Sequence, residues 1–97
     1  MMLLPKSGKP ARNRAHMAKV AQLPCVICQR QPVQVHHCIH GRHSQRRASD
    51  TETIPLCMTH HDELHAGKAL WAARYGEDHS YLPRVAEMLR QMKDLTV

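Results

Sequence analysis

Phenylalanine is absent from this chain, and Trp71, Tyr75 and Tyr81 are its only aromatic residues. A core must therefore be built mainly from Leu, Val, Met and Ala, within 97 residues, near the lower end of what one core can stabilise. Such a chain is expected to need a staple, either disulfides or a structural metal. No apolar run approaches the length of a membrane span. The apolar start, Met1 to Leu4, stops at Pro5-Lys6, far short of a secretory h-region. These absences predict a cytoplasmic protein with no membrane contact. In that compartment four cysteines mixed with nine histidines favour metal over disulfides.

Acidic residues are missing from the whole first half. Residues 1–49 hold nine Lys and Arg and no Asp or Glu, whereas residues 50–97 hold five basic and eight acidic residues, a net −3. One half is a polycation, which points to a polyanionic partner, with nucleic acid favoured. A solubilising tail would explain residues 1–10 alone. It would not explain Arg42, Arg46 and Arg47, which fall in a central stretch beside histidines.

The chain reads as a flexible basic arm over residues 1–10 followed by a single α+β domain over 11–97. Residues 11–23 lack Gly and Pro and predict a modest helix, ended by Pro24. Cys25 to Arg30 has the form of a tight Cys-x-x-Cys knuckle. Val33 to His36 alternates and predicts a short strand. Residues 40–53 are polar and Arg-rich, hence a loop, and Ile54-Pro55-Leu56 is a brief extended segment. One helix is predicted from His60 to Tyr75 with Gly76 as its C-cap. A last amphipathic helix follows, marked by Leu82, Val85, Met88, Leu89, Met92 and Leu95, with Pro83 in its first turn. An exposed apolar side of that helix (Val85, Met88, Met92) would suit a homodimer.

What is present in strength is metal-ligand spacing. Zinc takes four tetrahedral ligands from thiolate and imidazole, and structural sites usually come as two short pairs. Cys25 with Cys28, and Cys57 with His60, make such pairs. A redox Cys-x-x-Cys would want a thioredoxin-like βαβ context, which is missing. Cys38 is left over and is read as a small buried residue after the strand.

A second set remains in His36, His37, His61 and His65. On a helix the i, i+4 spacing of His61 and His65 puts two imidazoles on one face. Chance clustering, or one larger regulatory metal site, accounts poorly for a histidine doublet on a strand combined with such a helical pair. A strand, a loop and a helix presenting histidines to one ion is the layout of a ββα-metal finger.

The chain resembles the HNH (His-Me finger) endonucleases, most closely the phage-type branch related to the recombination-enhancement nuclease. The matching text is Leu-Pro-Cys-x2-Cys at 23–28, Val-His-His at 35–37, Ser-Asp-x3-Ile-Pro-Leu-Cys at 49–57 and His-His-x2-Leu-His at 60–65. It continues weakly into Trp71 and Tyr75-Gly76. The resemblance implies a zinc-stapled ββα finger with flanking helices, in a bacterial or phage-infected host. It assigns a catalytic divalent cation (Mg2+, Mn2+, Ni2+ or Zn2+) to His36, His61 and His65, beside a structural Zn2+ on Cys25, Cys28, Cys57 and His60. His37 would be the general base that takes a proton from water attacking phosphorus. The ion would act on a non-bridging oxygen and on the leaving 3′ oxygen, giving 5′-phosphate and 3′-hydroxyl ends. A recombination protein is the implied protein partner.

The family's middle Asn has no counterpart here. Asp50 is preferred to Ser49 and Thr53 as the polar residue that orients the base. His40 and His43 are read by preference as exposed loop histidines, the alternative being that they line the site. DNA is expected to be gripped through its phosphates by Arg42, Arg46 and Arg47, with Lys6, Lys9, Arg12, Arg14 and Lys19 trailing along a groove. No base-reading helix or aromatic stacking platform is evident, so low sequence specificity is expected. The alternatives are an inactive zinc-ribbon DNA-binding or adaptor protein, and a zinc-stabilised protein-interaction module. The second leaves the cationic first half unexplained.

Overall fold

A computed structural model describes residues 12–40 and 49–95 of the chain. The basic arm with Lys6 and Lys9, and the loop segment carrying Arg42, His43, Arg46 and Arg47, lie outside the described residues. The elements run in the order α1 (Arg14–Val20), β1 (Gln34–His37), β2 (Thr53–Leu56), α2 (Met58–Ala66), α3 (Lys68–Tyr75), a 3-10 turn (Asp78–Tyr81) and α4 (Leu82–Leu95). This is a small α+β arrangement. No described helix is long and apolar enough to cross a membrane.

The two strands pair antiparallel, with Gln34 opposite Leu56, Val35 opposite Pro55, His36 opposite Ile54 and His37 opposite Thr53. The first strand thus runs one residue later than the alternation predicts, because pairing with Thr53 draws His37 into the ladder. Pro55 has no N–H to give, but its carbonyl accepts from Val26 N–H at 3.0 Å, which ties the cysteine knuckle to β2. All four β2 residues are buried.

Helix α1 is shorter than its sequence predicts. It begins at an Asn13 cap, whose side chain accepts from His16 N–H, and unwinds beyond Val20 through a turn in which Leu23 N–H reaches Val20 O. The larger correction concerns residues 60–75, which form two helices broken at Gly67 rather than one. Gly is a poor helix former, and the tertiary contacts exploit the break. Trp71 Nε1–H donates to the carbonyl of His60 at 3.1 Å, and both Arg74 and Tyr75 reach back to Glu63. In a continuous helix residues 60 and 71 would stand about 16 Å apart along the axis. Helix α3 must fold against α2 for that bond to form. Gly76 closes α3 as expected, at φ 91 with its N–H on Ala72 O, a conformation that suits only glycine.

The core gathers Val20, Leu23, Val26, Ile54, Leu56, Leu64, Trp71 and Val85 around the buried sulfurs of Cys25, Cys38 and Cys57. Cys38 is buried as its position after the strand suggests. Helix α4 does not offer Val85, Met88 and Met92 as an exposed side. Val85 is buried, and the two methionines pack against this core. The face expected to serve a dimer is used internally.

Candidate metal centres

The knuckle at Cys25–Arg30 is built by its backbone. Cys25 N–H donates to Arg30 O, Gln29 N–H to Cys25 O, and Gln29 takes φ 62 to close the turn. Ile27 N–H points at Cys25 Sγ, 3.4 Å away. Cys57 caps the start of α2, so His60 falls one turn along and swings Nδ1 toward the sulfurs, 3.2 Å from Cys57 Sγ and 3.8 Å from Cys25 Sγ. Two thiolates on one tetrahedral zinc, each about 2.3 Å from it, stand about 3.8 Å apart. The Cys28 and Cys57 sulfurs are 3.8 Å apart. The ligand atoms of Cys25, Cys28, Cys57 and His60 all lie within 4.8 Å of one another, so this set could hold a metal ion such as zinc.

The local electrostatics agree with that use. Burial opposes ionisation of Cys25, but N–H groups of Cys57, Cys28 and Ile27 aimed at its sulfur bring the thiol below its ordinary value. Burial pushes the Cys28 thiol up, and the neighbouring sulfurs of Cys57 and Cys25 add to it against an N–H from Arg30. Adjacent thiolates repel, and a cation between them would relieve the repulsion.

The second cluster lies on the next face of the same helix. His36 projects from β1 and is buried, while His61 and His65 project from α2 and have their Nε2 atoms 3.1 Å apart. Two imidazole nitrogens on one zinc-sized cation stand about 3.0–3.4 Å apart. The His36 ring lies 5.0 Å from that of His61 and 5.5 Å from that of His65. These three residues also have ligand atoms within 4.8 Å of one another and could hold an ion. His61 Nδ1 lies 2.5 Å from Gln34 Oε1, an acceptor, which leaves Nε2 with its lone pair on the cluster side. Burial, with His36 and His65 close by, pushes His61 down to about 4. The ring is neutral near pH 7, as a ligand must be.

His37 joins neither set. Neighbouring residues on a strand face opposite ways, and His37 turns to Asp50, with Nε2 3.0 Å from Oδ1. Asp50 is held in turn: Asn13 N–H donates to its Oδ2 at 2.8 Å, and Thr53 Oγ1 donates to its carbonyl. Of the proposed orienting residues, Asp50 is the one in contact with the histidine. Ser49 bonds instead to Thr51 and Glu52. Arg12, Arg14 and Lys19 are exposed on and before α1, the element that Asn13 links to Asp50.

Two residues of this site carry no sequence signal. Asp78, fully buried at the start of the 3-10 turn, accepts from Ile39 N–H at 2.7 Å and His40 N–H at 3.1 Å, and lies 2.8 Å from His36 Nε2. Burial opposes its ionisation, but the His36 bond and those two N–H groups hold the carboxyl well below the usual carboxylate range. The partner of the strand histidine His36 is thus a buried carboxylate. His40 is not an exposed loop histidine. It is buried, with Nε2 3.0 Å from Lys68 O, and its Nδ1 accepts from Asp78 N–H at 2.9 Å. A buried imidazole satisfied on both nitrogens is a structural residue, and only the turn at Asp78 makes it one.

Fold and site together define a small α+β protein with, among the described residues, one Cys/His cluster and one His cluster that could each hold a metal ion. The chain belongs to the family described as "Protein of unknown function (DUF968)", whose model matches residues 1–91. It is also similar to the "Uncharacterized protein YdfU" of Escherichia coli (strain K12), at 32% identity over 77 residues. That alignment covers 77% of this chain and 22% of the relative's length. No solved structure matches the chain.

Proposed function

We propose that this chain is a metal-dependent DNA endonuclease that hydrolyses phosphodiester bonds with low sequence specificity, by the one-metal chemistry of the HNH enzymes it resembles. The observation that carries the reading is His37. It stands next in sequence to a three-histidine cluster without belonging to it, its side chain is 25% exposed, and its Nε2 is engaged by Asp50. A histidine used only for structure would be expected to spend both nitrogens, as His40 does.

With the Asp50 carboxylate as acceptor, Nε2 carries the ring proton and Nδ1 is left as the base. Nδ1 takes a proton from a water whose oxygen attacks phosphorus; the bond from phosphorus to the 3′ oxygen breaks, and that oxygen leaves to be protonated. Asp50 steadies the ring and stabilises the imidazolium that forms. A divalent cation on His36, His61 and His65 would supply positive charge where the phosphate gains negative charge. The order β1, β2, α2, with histidines on the first strand and on the helix, supports the ββα-metal comparison. The exposed Arg12, Arg14 and Lys19 support a polyanionic substrate.

The competing reading, an inactive zinc-ribbon DNA-binding or adaptor protein, gives no use for a His37 held by Asp50 with Nδ1 left over. Plasmid DNA incubated with zinc-loaded protein and Mg2+, Mn2+ or Ni2+ tests the proposal, with His37→Ala as the control. Nicked or linear product from the wild type alone is the expected result. No product with any of these ions would defeat the nuclease reading.

A further inference from the structure

Asp78 stands behind the three-histidine cluster rather than in it. The ligand atoms of His36, His61 and His65 form a set that Asp78 does not join, yet its Oδ2 is 2.8 Å from His36 Nε2. We propose that Asp78 is a positioning residue for this centre. It fixes the His36 ring in the tautomer with the proton on Nε2, and so presents the Nδ1 lone pair to a divalent cation. The inference rests on the reading of the three histidines as a cation site.

The hydrogen-bond inventory around Asp78 leads to that tautomer. An ionised carboxylate only accepts. Two of its donors are backbone groups, Ile39 N–H and His40 N–H. Two imidazoles also approach it, His36 through Nε2 at 2.8 Å and His40 through Nδ1 at 3.0 Å. The His40 ring has no proton to give there. Its Nδ1 accepts the N–H of Asp78 itself at 2.9 Å, and its proton is on Nε2, pointed at Lys68 O at 3.0 Å. The ring proton received by Asp78 must therefore come from His36 Nε2, and a neutral His36 then has its lone pair on Nδ1.

The same device appears on the other side of the cluster. Gln34 Oε1 takes the Nδ1 proton of His61 and leaves Nε2 for the shared centre. The His36 and His61 rings are thus each aimed by an acceptor on the far nitrogen, which raises ligand basicity and removes rotational freedom before any ion arrives. His40, locked to Lys68 O at the start of α3, holds the Asp78 turn in place. It belongs to the scaffold of the device.

The test uses the zinc-loaded 97-residue chain, with Ni2+ as the probe, titrated by calorimetry into wild type, Asp78→Asn and His36→Ala. Asp78→Asn should weaken Ni2+ binding about 10–100-fold, the usual worth of an outer partner of a metal histidine, while zinc content stays at the wild-type level. Long-range proton–nitrogen correlation spectra of the wild type, before Ni2+ is added, should show His36 protonated on Nε2. Folded Asp78→Asn with wild-type Ni2+ affinity overturns the proposal alone. A wild-type chain that binds no Ni2+ overturns the cation reading and the proposal with it. Should Asp78→Asn fail to fold, the wild-type spectrum decides: a His36 proton on Nδ1 overturns the inference, and one on Nε2 supports it.

Discussion

His60 and His61 are adjacent in sequence and serve different clusters. His60 Nδ1 lies 3.2 Å from Cys57 Sγ, whereas His61 Nε2 lies 3.1 Å from His65 Nε2. Successive side chains on a helix are turned by about 100°, so one helical turn of α2 can present ligands to two centres without sharing any.

The two histidines should therefore fail differently on substitution. His60→Ala removes a ligand from the cysteine set and should unfold or aggregate the chain, as should loss of Cys25, Cys28 or Cys57. Metal binding of roughly 10–16 kcal/mol in zinc-finger peptides is as large as the whole stability of a small domain. His61→Ala should leave a folded, zinc-containing protein. Circular dichroism and elemental analysis of both variants check this. Well-folded wild-type protein without zinc would refute the structural assignment.

His36 and His37 should also separate. His36→Ala is expected to lower affinity for the second cation, with partial recovery of cleavage at excess metal. His37→Ala should bind metal and DNA nearly as the wild type does and cleave ~10²–10⁴-fold more slowly, the usual worth of a general base. Exchange of these two phenotypes would mean that the strand presents its faces the other way.

Asp50→Ala takes away the acceptor on His37 Nε2 and the anchor for Asn13 N–H. Cleavage should drop about 10–100-fold, less than for His37→Ala, in line with loss of a carboxylate that orients a functional histidine. Single-turnover rates of the two variants, measured side by side, decide the ranking.

Reversing Arg12, Arg14 and Lys19 to Glu, separately from Arg42, Arg46 and Arg47, should weaken binding to all DNA sequences alike. Each lost phosphate contact should reduce the slope of log affinity against log salt by about 0.9. If both triple variants bind with the wild-type slope at moderate salt, neither set of basic residues contacts DNA.

Trp71 anchors α3 to α2 through the carbonyl of His60 and is buried. Trp71→Ala should cost about 3–5 kcal/mol, a large share of the ~5–15 kcal/mol that holds a small domain folded. Trp71→Phe keeps most of the packing, and its smaller loss in a thermal melt isolates the hydrogen bond.

How much of this was legible in the chain follows from how local each signal is. The cysteine knuckle and the Cys57–His60 pair lie within four residues each, and the helical histidine pair within five, so their spacing alone brings the ligands together. Helix α4 carries its apolar period in full. By contrast, the break at Gly67 depends on a bond between Trp71 and His60, and a lone glycine in a helical pattern does not announce it. Asp78 sits between Glu77 and His79 with no periodicity around it. Its role exists only because the chain returns it to the end of β1. The burial of His40 is hidden for the same reason, since it is conferred by Asp78 and Lys68.

Helix α2 is threaded by both ligand sets, with one peptide bond between His60 and His61. If the cysteine set holds the zinc that staples the fold, a newly made chain without zinc should lack the ordered helix on which His61 and His65 meet. On that reading the histidine set is assembled only after the cysteine set has been filled. Zinc supply would then act as a licence for the second set.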